Sequence, residues 1–205
     1  MSPVEIKFFD YGQKEVDYLS QADPVLGEAM ERLGRVDREV IPDLFAALVY
    51  AVIGQLVSAR SANTVWERMK DKIGIITPEN IRAFSADDIQ QCGMTMKKAV
   101  LICDLSEEVM TGSLRLDNLW ELSDDEVIRY LTAIRGIGRW TAEMILINSM
   151  ERPDVISWGD VAIRRGLEKL YGIEKITREQ FEAYKRRYSP YGSVASIYLW
   201  RLSFS

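Results

Sequence analysis

Gly136 and Gly138 stand between two stretches whose apolar residues follow a helical period. Because glycine adopts positive φ at little cost, the pair predicts a tight turn that joins two helices. The first N–H groups of the second helix have no intrahelical partner, so they can bind an anion. Asp160 lies 22 residues beyond Gly138, where a third helix is predicted to begin. The rest of the chain is therefore expected to hold the anion-binding turn and the aspartate in a fixed relative position.

Each of these features also has a simpler interpretation. Gly-x-Gly occurs in many turns, so residues 131–165 could form an ordinary corner between packed helices. An aspartate that precedes a helix is the expected N-cap, which explains Asp160 equally well. The helix dipole and the N–H groups at that position favour the ionised carboxylate. Both interpretations of Asp160 therefore predict the same local geometry.

The composition excludes several classes of site. The chain has 205 residues and no histidine, which removes most catalytic triads and most zinc sites. Cys92 and Cys103 are too few for a four-cysteine cluster or a disulfide framework, and they fit a reducing compartment. No apolar run approaches the roughly 18 residues of a membrane span, and the N-terminus has no secretory pattern. We therefore expect a cytoplasmic protein without zinc, iron–sulfur cluster or membrane contact.

The net charge of −5 argues against a nucleic-acid partner. The basic residues nevertheless occur in local groups, and the field at a contact surface matters more than the total charge. These groups are Lys97–Lys98, Arg135, Arg139, Arg164–Arg165 and Lys185–Arg187. A nucleic-acid partner therefore requires basic groups to converge on the face of the glycine turn.

Capping signals divide the chain into about a dozen predicted helices with no convincing pair of strands. Ser85 and Ser123 each precede an acid three residues later, which is the pattern of a capping box. Thr95 and Ser193 are predicted N-caps, and residues 4–9 could form a short extended piece. The predicted fold class is therefore all-α.

Four segments carry a resemblance to a known family, at residues 53–58, 93–99, 131–142 and 188–201. The string L-x-x-I-x-G-I-G-x-W-T-A at residues 131–142 resembles the helix-hairpin-helix motif of the DNA base-excision glycosylases. The ending at residues 188–201 is similar to that of the 3-methyladenine DNA glycosylase II branch. The resemblance covers about residues 40–205 and implies the compact form, without the N-terminal β-rich domain of larger bacterial relatives.

The resemblance implies one glycosylase module over residues 1–205, with two helical lobes. The first lobe would span about residues 38–150 and would contain the hairpin at residues 124–150. The second lobe would combine residues 1–37 with residues 151–205. The expected architecture is therefore a two-lobed, all-α glycosylase fold.

The resemblance assigns the hairpin to the DNA backbone. N–H groups near Gly136, Gly138 and Arg139 would bind a phosphate, as helix N-termini commonly do. Arg135 occupies a position where the family often has proline, so the turn would lose rigidity but gain a positive charge beside the phosphate.

The resemblance implies two further binding groups, one for a phosphate and one for a monovalent cation. Lys97 and Lys98, at the start of another predicted helix, are phosphate candidates, although a solvated basic patch explains them nearly as well. Related hairpins bind a monovalent cation through carbonyls. The resemblance therefore implies a possible structural Na⁺ or K⁺ on the carbonyls of Thr132, Ile134 and Ile137, with no other cofactor required.

Asp160 matches the catalytic aspartate of the family. When the glycosidic bond breaks, the sugar gains oxocarbenium character, which a fixed carboxylate stabilises. Asp160 would also orient or deprotonate the attacking water. Asp154 is a rival, but it precedes the helix and fits the family pattern less well.

Position 140 distinguishes two mechanisms within the family. Members that also cleave the backbone carry a lysine there, and its amine forms a Schiff base with the sugar. This chain has Trp140, and no other lysine lies in the hairpin. The resemblance therefore implies a monofunctional glycosylase without lyase activity.

The remaining candidates would handle a flipped base. Gln55 would hydrogen-bond a base edge, and Leu56 would be a wedge that fills the gap in the base stack. The alternative for this segment is a helix end followed by a cap. Met144 stands where some relatives have tyrosine. For Trp200, core packing is the favoured role. The implied base pocket consists of Gln55, Trp140, Met144, Trp158 and Trp200.

The predicted function is hydrolysis of the N-glycosidic bond of alkylated purines in duplex DNA, by base flipping, in base excision repair. Bases of the 3-methyladenine and 7-methylguanine type are the expected substrates, because many carry a positive charge that makes them good leaving groups. Aromatic rings also favour cationic bases. We expect a monomer. The alternatives are a glycosylase for other damaged or mismatched bases, or a non-catalytic protein that binds DNA damage.

Overall fold

The structure is a computed structural model that describes residues 7–204. The chain divides into two compact units. One unit comprises Ile41–Ile145, and the other combines Met1–Val40 with Leu146–Ser205. We refer to them as the inserted unit and the terminal unit.

Helices dominate the described residues, so the predicted all-α fold class is confirmed. The elements in chain order are β1 (Lys7–Phe8), α1 (Gln13–Ala22), α2 (Pro24–Leu33), β2 (Glu39–Val40), α3 (Leu44–Gly54), α4 (Ala59–Ile73), α5 (Pro78–Arg82), α6 (Ala86–Gln90), α7 (Met96–Met110), a 3₁₀ helix (Asp117–Glu121), α8 (Asp124–Thr132), α9 (Arg139–Asn148), α10 (Val161–Tyr171), α11 (Arg178–Tyr188) and α12 (Gly192–Ser203). No helix within residues 7–204 has the length and hydropathy that crossing a bilayer demands.

One expectation about strands was wrong. β1 and β2 form a two-stranded antiparallel sheet in which Lys7 faces Val40 and Phe8 faces Glu39. Each strand has two residues, and about thirty residues separate them, so no local pattern in the sequence marks the pair. The predicted extended piece at residues 4–9 is observed at residues 7–8, and residues 4–6 lie outside the described part.

The inserted unit is built around α3. Nine of the eleven residues of this helix are buried, as its nearly continuous apolar sequence predicts. Thr95 caps α7 through the N–H of Lys98, and the capping boxes at Ser85 and Ser123 are both present. The local start signals of these helices are therefore confirmed.

The terminal unit contains a close contact between α10 and α12. A Cβ at Gly166 would lie 2.2 Å from the carbonyl oxygen of Leu199, so only glycine allows this approach. The predicted cap at Ser193 was wrong, because α12 begins at Gly192 and its N-cap is Tyr191. Ser193 is fully buried instead. Its hydroxyl donates to the Arg152 carbonyl at 2.5 Å and accepts from the Val155 N–H at 3.0 Å.

Candidate functional site

The glycine turn joins α8 to α9 in the inserted unit, and we call residues 133–138 the hairpin turn. Gly136 has φ of 91°, a conformation that side chains other than glycine rarely adopt. A Cβ there would also lie 2.9 Å from Cδ2 of Leu101. The fold of the turn therefore requires the first glycine.

Gly138 differs from Gly136 because the fold does not require it. Its φ is not positive, and a Cβ would meet no atom within 4 Å. Its carbonyl accepts the N–H of Ala142 at 3.1 Å, which starts the hydrogen bonding of α9. The space beside Gly138 is therefore open at the N-terminal end of α9, the kind of position where helices commonly bind anions.

The two arginines of the hairpin are differently placed. Arg135 is exposed in the turn. Nε of Arg139 donates to Oε1 of Glu143 at 2.9 Å, and the Glu143 residue is only 5% exposed. The Arg139 side chain is nevertheless 62% exposed, so its guanidinium remains at the surface near the start of α9.

The turn between α3 and α4, residues 54–58, presents Leu56 to solvent. Leu56 has φ of 57° and is fully exposed. A leucine in the left-handed region costs conformational energy, and an exposed leucine gains nothing from burial. Such strain at a non-glycine residue commonly marks a functional position. We call residues 54–58 the wedge turn.

Gln55 and Lys98 make contacts that the sequence did not predict. Nε2 of Gln55 donates to the Gly136 carbonyl and to Oγ1 of Thr141, both at 3.1 Å. Nζ of Lys98 donates to the carbonyls of Ile53 and Gln55, both at 2.7 Å. Burial lowers the pKa of Lys98 below its usual range. These contacts differ from the predicted base-edge contact of Gln55 and phosphate contact of Lys98. The neighbouring Lys97 is exposed.

Trp140 and Met144 lie on α9 one turn apart. Trp140 is half-buried, and a Cβ at Gly54 would lie 3.4 Å from Cη2 of its indole. Met144 is 5% exposed. Trp140 therefore packs beside the wedge turn while part of its ring stays accessible.

The carbonyls at the end of α8 provide oxygen ligands of the kind a monovalent cation uses. Within residues 7–204 the carbonyls of Thr132 and Ile137 accept no backbone N–H, whereas that of Ile134 accepts the N–H of Ile137 at 3.1 Å. A carbonyl oxygen has two lone pairs, so the bond at Ile134 does not exclude a cation there, and the cation site stays a prediction. In the same part of the chain, His, Cys, Asp and Glu form no group of three or more that could hold a metal ion.

Asp160 is the N-cap of α10 in the terminal unit, and this local prediction is confirmed. Its Oδ1 accepts the N–H groups of Ala162 and Ile163 at 2.9 and 3.0 Å. The residue is 7% exposed. Its carboxylate is therefore fixed in position and largely removed from bulk water.

The rival aspartate, Asp154, holds the start of α12. Its Oδ1 accepts the N–H of Gly192 at 3.0 Å, and its Oδ2 accepts the hydroxyl of Ser189 at 2.6 Å. Both carboxylate oxygens of Asp154 are thus used in the fold of the terminal unit.

Arginine side chains pack on the aromatic candidates of the terminal unit, Trp158 and Trp200. The guanidinium groups of Arg164 and Arg178 lie 5.0 and 5.1 Å from the Trp158 ring centroid, and Phe181 makes an edge contact at 5.1 Å. Trp200 is 9% exposed, with the Arg38 guanidinium 4.4 Å from its ring centroid. Both tryptophans have packing roles, and their predicted places in a base pocket stay predictions.

The comparison with known families decides the membership of the chain. The sequence matches the HhH-GPD superfamily base excision DNA repair protein family over residues 49–190, more than half of its length. The chain belongs to this superfamily.

Individual members of the HhH-GPD superfamily resemble this chain over most of its length. DNA-3-methyladenine glycosylase 1 of Schizosaccharomyces pombe is 32% identical over 78% of this chain and 72% of its own length. The solved structure of S. pombe 3-methyladenine DNA glycosylase (Mag1) in complex with abasic DNA has a TM-score of 0.84 and 28% identity, over 92% of this chain and 96% of that one. A DNA-3-methyladenine glycosidase from Bacillus halodurans has a TM-score of 0.76 and 32% identity, over 97% and 93%.

The HhH-GPD chain distributes its candidate residues over both units. The inserted unit contains the hairpin turn, the wedge turn, Lys97, Lys98, Trp140 and Met144, whereas the terminal unit contains Trp158, Asp160 and Trp200. Within the inserted unit, the structure brings Gln55 and the hairpin turn into contact across 81 residues. The sequence does not predict this contact or the arginines that pack on Trp158 and Trp200, because local patterns do not report such distant partners.

Proposed function

We propose that this HhH-GPD protein is a monofunctional DNA glycosylase that hydrolyses the N-glycosidic bond of alkylated purines in duplex DNA. The observation that carries the proposal is Asp160, a buried carboxylate fixed at the N-terminus of α10. The relatives named DNA-3-methyladenine glycosylase support the substrate class. We also propose that the protein acts as a monomer.

The reaction places positive charge on the deoxyribose. As the C1′–N bond lengthens, the sugar takes on oxocarbenium character and the base leaves with the bonding electrons. The fixed Asp160 carboxylate stabilises that charge without reorganisation and orients the water that attacks C1′. Purines alkylated at N3 or N7 already carry a positive charge, so they leave as neutral bases without a general acid.

Trp140 supports hydrolysis without strand cleavage. A lyase step requires a nucleophilic amine at this position to form a Schiff base with the sugar, and an indole cannot do so. The indole instead offers a ring on which a cationic base can stack. We therefore propose that the products are a free base and an intact abasic strand.

The hairpin turn and the wedge turn support DNA binding in this proposal. The N–H groups from Gly136 to Arg139, with Arg135 and Lys97, would bind phosphates, while Leu56 would occupy the gap that the flipped base leaves. A Na⁺ or K⁺ on the Thr132, Ile134 and Ile137 carbonyls would add positive charge at the same turn. The protein would need access to chromosomal DNA, as a cytoplasmic or nucleoid-associated protein has.

Substitution of Asp160 by asparagine tests the assignment. Asparagine caps helices as well as aspartate, so the variant should keep the stability of α10 while it loses the charge. We expect base release from methylated duplex DNA to fall at least about a hundredfold, as measured by chromatography of the released bases. Binding to a duplex with a tetrahydrofuran abasic analogue should remain. Full activity of Asp160→Asn would refute the catalytic role.

The same chromatography tests the substrate class. Wild-type protein should release 3-methyladenine and 7-methylguanine and leave abasic sites that break only after alkali. Release of deaminated or oxidised bases alone would show a different glycosylase. Damage-specific binding without any base release would show the non-catalytic alternative. Strand breaks that borohydride traps on the protein would contradict the proposed absence of a lyase step.

A further inference from the structure

Gln55 links the wedge turn to the hairpin turn within the inserted unit. Its backbone immediately precedes Leu56, and its side-chain amide donates to the carbonyl of Gly136 and the hydroxyl of Thr141. One amide group therefore bonds both the turn and the first helical residues of α9. Gly54 of the wedge turn also lies close to α9, because a Cβ there would be 3.4 Å from Cη2 of Trp140.

Lys98 fixes the other side of the wedge turn. The last carbonyls of a helix have no intrahelical partner. The ammonium group of Lys98 donates to two carbonyls at the C-terminal end of α3, those of Ile53 and Gln55. Lys98 is itself held at the start of α7, where its N–H bonds the N-cap hydroxyl of Thr95 at 3.4 Å. The backbone on the N-terminal side of Leu56 is thus bound from α7.

Leu56 needs such support. Its left-handed backbone conformation and its exposed side chain are both unfavourable in the free protein, so neighbouring contacts must hold the turn in place. The Gln55 side chain bonds the wedge turn to the hairpin turn, and the Lys98 side chain bonds it to α7.

We propose that Gln55 and Lys98 are positioning residues that hold the wedge turn and the hairpin turn as one preorganised DNA-contacting surface. The inference rests on the proposed function, because it assigns Leu56 to the base gap and the hairpin turn to a phosphate. Preorganisation matters because a loop that is ordered only on binding loses affinity to the entropy of ordering.

A salt titration distinguishes positioning by Lys98 from direct contact with a phosphate. A lysine that neutralises a phosphate contributes about one unit to the slope of log affinity against log salt concentration. Lys98→Met should weaken binding to the abasic-analogue duplex about tenfold with an unchanged slope, whereas Lys97→Met should reduce the slope by about one unit. An equal loss of slope in Lys98→Met would overturn the positioning role, as would unchanged affinity.

Conservative variants separate positioning from a loss of folding. Arginine retains donors that can reach two carbonyls, so Lys98→Arg should bind within about threefold of the wild-type protein. If Lys98→Met does not fold, Lys98→Gln takes its place, because the glutamine amide keeps donors but carries no charge. Normal affinity and a normal slope in Lys98→Gln would support positioning, and a reduced slope would overturn it.

The identity of the base opposite the lesion distinguishes positioning by Gln55 from recognition of a base edge. Gln55→Met keeps a similar volume but loses the amide donors. It should weaken binding about five- to tenfold, by the same factor, for duplexes with the abasic analogue opposite each of the four bases. A loss confined to one opposite base would show a direct base contact and overturn the inference.

Amide hydrogen exchange of the free protein tests the inference without DNA. Residues 55–58 should exchange at least about tenfold faster in Gln55→Met and Lys98→Met than in wild-type protein, while α4 keeps its protection. Unchanged exchange in both variants would overturn the positioning role. If wild-type protein does not prefer the abasic-analogue duplex over undamaged DNA, the proposed function fails, and hydrogen exchange still decides whether the two turns are coupled.

Discussion

At the scale of single residues, the two glycines of the hairpin turn have different reasons to be glycine. Gly136 combines a φ of 91° with a close approach to Leu101, so the fold of the turn requires it. Gly138 has neither constraint. We therefore expect the absence of a side chain at Gly138 to matter for the proposed phosphate contact rather than for the fold, and a pair of alanine variants separates the two roles.

Gly136→Ala should lower the free energy of unfolding by about 1–3 kcal/mol, because alanine is strained at positive φ. Gly138→Ala should change the free energy of unfolding by less than about 0.5 kcal/mol. It should nevertheless weaken binding to the abasic-analogue duplex about tenfold, because the methyl group would separate the N–H groups from the phosphate. Urea denaturation and fluorescence anisotropy give the two quantities. Wild-type affinity in Gly138→Ala would show that the turn does not contact DNA.

At the scale of elements, a buried polar cluster in the terminal unit joins α2, α10 and α11. Asp23 is the N-cap of α2, and its Oδ2 accepts hydrogen bonds from the hydroxyl of Tyr171 and, at 2.8 Å, from Nη1 of Arg187. The Tyr171 and Tyr188 hydroxyls lie 2.7 Å apart. Local sequence patterns can indicate only the capping role of Asp23 ahead of Pro24, because its other partners are about 150 residues away.

The ionisation of Asp23 is coupled to folding. Burial by itself would raise the pKa of Asp23, but the hydrogen bonds from Tyr171, Arg187 and the Leu26 N–H lower it below its usual value. Burial, together with the bond to Asp23, raises the pKa of the Tyr171 hydroxyl, so this group stays a donor at neutral pH. A depressed folded pKa contributes stability above the unfolded value of about 3.9, and this contribution is lost as pH falls through the folded pKa.

Asp23→Asn should therefore lower the free energy of unfolding at pH 7 by about 1–3 kcal/mol, because the bond to the guanidinium loses its charge. The difference between the variant and the wild-type protein should shrink as the pH is lowered below about 4. Urea denaturation across this pH range provides the measurement, with the exposed Asp71→Asn as the matched control. A difference that is constant with pH would show that the charge of Asp23 does not stabilise the fold.

At the scale of the whole molecule, the negative net charge of the chain does not describe the local charge of the proposed contact surface. The chain carries a net charge of −5, yet Lys97, Arg135 and Arg139 all present side chains at the surface of the inserted unit. Affinity for DNA depends on the phosphates that such local groups neutralise and on the counterions that are released.

Binding to the abasic-analogue duplex should therefore weaken as salt increases. With two to four neutralised phosphates, the slope of log affinity against log salt concentration should be roughly −2 to −4. Fluorescence anisotropy between about 50 and 200 mM salt measures it. A slope near zero would show that the basic groups of the inserted unit do not contact the DNA backbone.

The sequence by itself determined the local features of this protein. Helix starts at Thr95, Ser123 and Asp160 were predictable because a cap bonds N–H groups two or three residues away. The hairpin turn was predictable because the conformation of Gly136 and the string around it are local. The family, which the comparison confirms, was recognisable for the same reason.

Only the tertiary structure shows the contacts that depend on partners distant in sequence. Gln55 and Lys98 looked like ligands of DNA, but their donors bond Gly136 and the end of α3. The strand pair and the Asp23 cluster likewise join residues that are separated by tens to more than a hundred positions. Sequence patterns report neighbours within a few residues, whereas a hydrogen bond depends only on distance in space. The fold therefore determines whether a polar side chain faces a ligand or holds the protein together.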